Sequence, residues 1–310
     1  MTESTSQHRV AIVTGAGRGM GRAHALALSD SGCRVIVNDR DADVAETVAK
    51  EITERGGTAV HNAYDVVTNP EELVAHAINS YGQLDIVVNN AGALGTTLFA
   101  DTTSQDWHRL CDMHIRSAVG VSRSSWPHLL KSDAGRIINV SSVGMLGSPG
   151  FTAYGTGKAG VFGFTNSLAF ETTGTSITVN CILPSAWSRM TAELPDPVVR
   201  EVFEHHFQSE HVATFVSQLA DPDCTVNGEA FEVGGGWASR LQLALGPAVD
   251  ITASASGTWS GQSRALLRDG ALTPVRTPSE WLGVEISRIA PELGKGIVDT
   301  PTEFNTLEYR

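Results

Sequence analysis

Residues 9–29 read RVAIVTGAGRGMGRAHALALS. The apolar run Val10–Val13 is too short and too β-branched for a buried helix, so Arg9–Thr14 is expected to be a strand covered on both faces. Four glycines follow at alternate positions, Gly15, Gly17, Gly19 and Gly21, and Arg22–Ser29 then carries a helical pattern. Glycines in such a turn let the backbone approach a pyrophosphate, and the helix start behind them offers free N–H groups and a partial positive charge. A glycine-rich turn alone is weak evidence; between a strand and a helix it points to a dinucleotide.

The same strand-and-helix grammar continues outward. Strand-like runs lie at Arg34–Asn38, Thr58–Tyr64, Leu84–Asn89, Arg136–Ser141, Ser176–Leu183 and Ala230–Val233. Helical patterns cover Asp41–Arg55, Asn69–Tyr81, Gln105–Lys131 and Thr152–Thr172. Alternating β and α elements with Val/Ile-rich strands predict an α/β chain with a Rossmann-type doubly wound parallel sheet. It has three layers, helices lying on both faces. After Trp237 the composition shifts, and 247–280 are rich in Ala, Ser, Gly, Thr and Pro. The expected organisation is one domain over 8–237 and a C-terminal extension over 238–310. That extension either packs on the body or a neighbouring subunit or lacks order.

Composition narrows the function. Of 310 residues, 41% are hydrophobic and 18% charged, enough for a sizeable core, and the formal net charge is −12. Without Lys/Arg clusters the chain is not expected to bind nucleic acid. The four cysteines, Cys33, Cys111, Cys181 and Cys224, form no CxxC pair, which argues against a disulfide framework or zinc site and for buried thiols in a reducing compartment. The first residues lack a signal-peptide pattern, and no apolar run nears the ~20 residues that span a bilayer. A soluble, cytoplasmic protein with no membrane contact is expected.

Further candidates sit at strand ends. Asp39 ends the second strand, about 20 residues beyond the glycine turn, where a carboxylate accepts hydrogen bonds from the adenosine ribose and repels a 2′-phosphate. NAD is therefore expected over NADP, with Arg18 and Arg40 as counter-evidence, since a guanidinium holds phosphate. Asp65 and Val66 follow the third strand, where adenine would lie, and Asn89-Asn90-Ala91-Gly92 closes the fourth. The cofactor set is thus Gly15, Arg18, Gly19, Met20, Gly21, Asp39, Asp65, Val66, Asn90, Ala91 and Gly92. Tyr154 and Lys158 stand four apart, on one face if they open a helix. A nearby ammonium favours phenolate over phenol, so the tyrosine's pKa is expected to fall, letting it pass a proton to or from a substrate oxygen. A hydroxyl at Ser141 or Ser142, ending the fifth strand, would stabilise charge on that oxygen. The strand end favours Ser142 and leaves Ser141 as the alternative.

In this order TGAGRGMG, NNAG, SSV and YGTGK make residues 8–236 resemble the short-chain dehydrogenase/reductase superfamily. The resemblance implies a nicotinamide cofactor, a small-molecule substrate, a Ser/Tyr/Lys triad of Ser142, Tyr154 and Lys158, and a homodimer or homotetramer. It also implies that Tyr154 and Lys158 touch the nicotinamide ribose. The fourth catalytic position, usually Asn, is His114 here. It would either hold a water in a proton relay, titrating near neutrality, or be a structural residue. Trp126-Pro127-His128, Pro184–Thr191 and Asn227–Trp237 are similar to the (3R)-hydroxyacyl-CoA dehydrogenase branch, found in multifunctional enzyme type 2 and bacterial relatives. That branch suggests NAD-linked oxidation of a 3-hydroxyacyl-CoA or a steroid-type hydroxyl. NADPH-linked 3-ketoacyl reduction and a catalytically silent dinucleotide-binding scaffold or sensor are the competing readings.

Residues 184–211 are expected to cover the substrate, with Arg189 either pairing with an anionic group or bridged within the lid. His205, His206 and His211 read as a solvated helix face, so no metal is expected.

Overall fold

The computed structural model describes residues 8–188, 191–193, 196–248, 270–275 and 278–289. The chain divides into two compact units, one ending at Arg240 and the other beginning at Leu241. The first is built on a sheet whose strands are β1 (Val10–Thr14), β2 (Arg34–Asn38), β3 (Thr58–Asn62), β4 (Ile86–Asn89), β5 (Arg136–Val140), β6 (Thr178–Ser185), β7 (Ala230–Gly234) and β8 (Trp237–Leu241). Their order is β3-β2-β1-β4-β5-β6-β7-β8. All pairings from β3 to β7 are parallel. Each of the seven strands expected from the Val/Ile runs forms. Strand β8 was not anticipated, because Gly235-Gly236 hid a chain reversal inside what read as the end of the pattern. Both glycines take positive φ, 58° and 82°, which makes the two-residue turn possible.

Helices α1 (Gly19–Asp30), α2 (Ala42–Glu54), α3 (Pro70–Tyr81), α4 (Ser104–Cys111), α5 (Ser117–Leu129), α6 (Thr152–Glu171), α7 (Pro197–His206) and α8 (Ser209–Ala220) connect the strands. Two buried clusters form the core, one on each face of the sheet. One joins Val13, Val35, Ile138 and Ile182 to Leu28, Val48 and Val216 of α1, α2 and α8. The other joins Ile12, Ile36, Val87 and Ile137 to Leu73, Val121 and Ala169 of α3, α5 and α6. This is the three-layer Rossmann arrangement. The helix expected as one piece over Gln105–Lys131 is instead α4 and α5 joined by a π-helical turn, Asp112–Arg116. Winding to β3 on one side and to β8 on the other starts from β1 and β4, so the crevice between their carboxyl ends is where a ligand binds in such a sheet.

In the second unit, β9 (Ala244–Leu245) pairs antiparallel with β10 (Thr273–Pro274), and α9 spans Pro278–Ile289. Among the described residues no helix is long and apolar enough to cross a membrane. All four cysteines are free; Cys33 and Cys181 are buried, while Cys111 and Cys224 are only half-buried.

His24 on α1 is fully buried, with neither ring nitrogen hydrogen-bonded, and burial pushes its pKa down to about 4. An unpaired buried N–H costs about 1–3 kcal/mol. His24→Leu should therefore raise the stability at pH 7.5 by about 1–2 kcal/mol. The unfolded histidine binds a proton near pH 6.5 and the folded one only near 4, so stability is lost as pH falls between those values. At pH 5 this residue alone costs the native protein about 2 kcal/mol. Urea midpoints of both proteins at pH 7.5 and pH 5 test this, and equal pH dependence in the two would refute it.

Candidate active site

The glycine turn is held open by cross-strand hydrogen bonds. Thr14 Oγ1 accepts from the N–H groups of Asn90 and Ala91, both at 3.0 Å, and Asn90 Nδ2 donates to Thr14 O at 2.9 Å and Gly15 O at 3.2 Å. The turn after β1 and the NNAG turn after β4 are therefore one structure. Gly21 must lack a side chain, because a Cβ there would lie 2.0 Å from Gly15 O. Gly19, at φ +52°, has nothing within 4 Å of where its Cβ would be, so its face is open to a ligand. Helix α1 has no side-chain N-cap and no acidic residue in its first turn. Its free N–H groups suit a pyrophosphate. Met20 packs on the core beside them.

Asp39 follows β2, where its Oδ2 accepts the Gly17 N–H at 3.0 Å and its Oδ1 accepts the Asp41 N–H at 3.1 Å. Each carboxylate oxygen keeps a lone pair for a ribose hydroxyl. Arg18 is ion-paired with Asp41 at 2.6 Å, and Arg40 is exposed. Asp65 Oδ1 accepts the Val67 N–H at 2.8 Å, shaping the turn into α3. Val66 gives its side chain to the core, which leaves its main chain for any adenine contact.

Tyr154 and Lys158 lie one turn apart at the start of α6, both buried, with Lys158 Nζ 5.9 Å from the centre of the phenol ring. The ammonium donates to Val140 O at 2.8 Å, and burial pushes its pKa down to about 8. The expected fall in the tyrosine pKa does not occur. Burial raises it above the ordinary phenol value, and the Ser142 hydrogen bond opposes only part of that rise. Desolvation dominates here; the ammonium donates to the Val140 carbonyl and stands 5.9 Å from the centre of the phenol ring.

The two serines separate cleanly. Ser141 is buried and its Oγ donates to Lys158 O at 2.7 Å, tying β5 to α6. Ser142 Oγ accepts the Gly144 N–H at 3.0 Å and stands on the phenol's side, since a Cβ on Gly144 would lie 3.2 Å from Ser142 Oγ and 2.8 Å from Tyr154 Cε1.

His114 sits in the π-helical turn, buried, with its ring edge-on to Tyr154 at 5.3 Å between centroids. The turn approaches α6 closely because of Gly157 and Gly160, where a Cβ would lie 3.1 Å from His114 Cβ and 2.5 Å from Ile115 Cδ1. Nε2 bonds Ala93 O at 2.8 Å, so the imidazole donates there and its Nδ1 is an acceptor, buried without a partner. Burial, then the Lys158 charge, pushes its pKa down to about 3. The expected titration near neutrality is thus corrected: His114 stays neutral, an acceptor and not an acid. A Cβ on exposed Gly92 would stand 3.3 Å from His114 Nδ1 and 3.6 Å from Lys158 Nζ, so both groups border the same small gap.

Three supporting features carry structural roles that the motifs do not show. Thr14 and Gly17 act through partners about 22 to 77 positions away. A buried amide ladder, Asn89 Nδ2 to Asn139 Oδ1 at 2.8 Å and Asn139 Nδ2 to Thr165 Oγ1 at 2.9 Å, links β4, β5 and α6 beneath the site. In sequence Asn139 reads as a strand residue only, and Asn89 only as the start of the NNAG turn. Asp196 caps α7 by accepting from Val198 and Val199 N–H. Arg189 lies outside the described residues. His205, His206 and His211 are exposed. Among the described residues no group of three or more His, Cys, Asp or Glu is placed to hold a metal.

Comparison with known proteins agrees with the fold. A family model described as short chain dehydrogenase matches residues 9–196. Peroxisomal multifunctional enzyme type 2 of Mus musculus is 40% identical over 245 residues, covering 76% of this chain and 32% of the mouse protein. The chain thus spans about a third of that relative's length. A 3-oxoacyl-[acyl-carrier-protein] reductase of Synechocystis is 36% identical over 245 residues, covering 76% of this chain and 98% of the reductase. The crystal structure of a short chain dehydrogenase from Mycobacterium avium superposes with a TM-score of 0.73 at 33% identity, covering 86% of this chain and 97% of that one.

Proposed function

The chain belongs to the short chain dehydrogenase family, an NAD(P)-dependent oxidoreductase, and we propose that it interconverts a secondary alcohol and a ketone with NAD. The substrate proposed is a 3-hydroxyacyl-CoA or a steroid-type hydroxyl. The observation that carries the reaction is the cluster of Ser142, Tyr154 and Lys158 beside the β1/β4 crevice. In this reading the catalytic body is 8–237, 238–310 is an extension, and the working form is a homodimer or homotetramer.

The cradle fits a dinucleotide: the Gly15–Gly21 turn and the start of α1 would hold the pyrophosphate, Asp39 the adenosine ribose, and Tyr154 and Lys158 the nicotinamide ribose. The nicotinamide, when bound, takes up or returns the hydride. Tyr154, protonated at neutral pH, donates its proton to a ketone oxygen in reduction and recovers it from the alcohol in oxidation. Ser142 hydrogen-bonds the same oxygen and stabilises charge developing there. Lys158 keeps a buried positive charge near the phenol, favouring its ionised form during transfer. His114 Nδ1 and Lys158 Nζ border a gap where a water would satisfy both, giving the relay reading of His114 a physical form.

Apolar side chains support a bulky apolar substrate. Leu98 and Phe99 follow β4, Leu146 follows β5, and Val198, Val199 and Val202 line α7 after β6. All are exposed, on segments that leave the carboxyl ends of the strands.

The test is a panel of 3-hydroxyacyl-CoAs, hydroxysteroids and short secondary alcohols with NAD and NADP, run beside thermal unfolding. NAD at 100 times its Kd should add about 2.7 kcal/mol of stability. Activity confined to NADPH and 3-ketoacyl thioesters would give the molecule to the reductase reading. Stabilisation by cofactor without turnover of any alcohol would leave a silent dinucleotide-binding scaffold.

A further inference from the structure

The carboxylate of Asp41, at the N-cap of α2, stands on the same rim as Asp39. Its main-chain N–H donates to Asp39 Oδ1 at 3.1 Å, and its Oδ2 takes the Arg18 guanidinium at 2.6 Å. Behind them Gly17 closes the rim: a Cβ there would meet Asp39 Oδ2 at 2.8 Å and Val44 Cγ2 at 2.3 Å. Arg18 leads directly into the open face of Gly19, so among the glycine-turn residues it is the cation positioned to meet a phosphate on the adenosine ribose. In this structure its charge is already matched. The hydrogen bond from Arg18, ahead of its Coulombic attraction, holds the Asp41 carboxyl below the usual carboxylate range.

We propose that Asp41 is a second cofactor-selectivity residue, which holds the Arg18 guanidinium and so withholds it from a 2′-phosphate. Asp39 then excludes that phosphate by repulsion, and Asp41 by removing the one attraction the glycine turn offers. The proposal rests on the reading of Asp39 as the ribose acceptor. Both partners of the pair are about half exposed, with side-chain accessibilities of 51% and 44%. The pair is therefore weak and salt-screened, and the expected effect is a bias, not an absolute block.

The experiment measures dissociation constants by titration calorimetry for NAD, NADP and adenosine 2′,5′-bisphosphate. The proteins are the full chain, Asp41→Asn, Arg18→Gln and the double variant, each at 0.05 and 0.5 M salt. Asp41→Asn should tighten the bisphosphate and NADP about fivefold at low salt, with a smaller change for NAD. The gain should vanish in the double variant and shrink at high salt. No gain in Asp41→Asn, or a gain that survives Arg18→Gln, overturns the proposal. Asp39→Asn is the separate arm: an unchanged NAD/NADP affinity ratio there would defeat the reading of Asp39, whatever the Arg18/Asp41 cycle shows.

Discussion

Tyr154→Phe should lower turnover about 10²–10⁴-fold while cofactor-induced thermal stabilisation persists. The substitution removes one oxygen and leaves the ring, which packs edge-on against His114 and Phe151, so the fold of the site is kept. What disappears is the proton donor beside Ser142. The pH dependence gives a second, independent readout. Burial raises the Tyr154 pKa, so at neutral pH the phenol is overwhelmingly protonated. Oxidation needs the deprotonated form and should accelerate as pH rises through 7 to 9, whereas reduction uses the protonated form and should stay level over that range. Lys158, at about 8, loses its charge within the same window, which caps the rise by withdrawing support from the phenolate. In Tyr154→Phe the residual oxidation should lose this slope. Rates within threefold of the native enzyme, or an unchanged pH profile, would remove the phenol from the chemistry.

The second large effect lies at the opposite end of the sheet. Arg136, the first residue of β5, is buried and its guanidinium donates to five carbonyls. They belong to Gly135, Ser176, Asp221, Pro222 and Cys224, at 2.8 to 3.2 Å. Burial lowers its pKa, which is the cost of placing the charge there, and the carbonyls offset it. Arg136→Met keeps the length and removes all five bonds; Gly135 O and Asp221 O keep the Thr178 and Cys224 N–H groups, while the carbonyls of Ser176, Pro222 and Cys224 lose their donor. Water can re-enter where the 221–224 turn meets solvent, so the net loss should be about 3 kcal/mol, toward the low end of three desolvation penalties. Arg136→Lys, with one compact donor head in place of a planar fork, should recover only part of it. Urea unfolding measures both; a loss below about 1 kcal/mol for the Met variant would show that the carbonyls are solvated without the arginine.

Much of this molecule is local in origin and so was legible without coordinates. Val10–Val13, Val35–Val37 and Ile137–Ile138 are continuous apolar runs, β-branched except at Ala11, and a strand covered on both faces is what such runs form. The alternate glycines before Arg22 and the four-residue step from Tyr154 to Lys158 act through backbone sterics and helical period, which neighbours in sequence decide. The π-helical turn at Asp112–Arg116 was not legible, because the extra residue is accommodated by Gly157 and Gly160 on α6, some forty positions away.

Sequence by itself determined the strand order's building blocks, the glycine cradle and the one-turn pairing of phenol with ammonium. Tertiary structure decided the partners of two adjacent serines, Ser141 Oγ going to Lys158 O and Ser142 Oγ to the Gly144 N–H beside the phenol. It also decided that His114 is neutral, that Tyr154 is harder to ionise than free phenol, and that Arg18 is bound to Asp41. The reason is common to all four: desolvation and ion pairing depend on which distant groups enclose a side chain, and a linear pattern carries the identity of those groups without their placement.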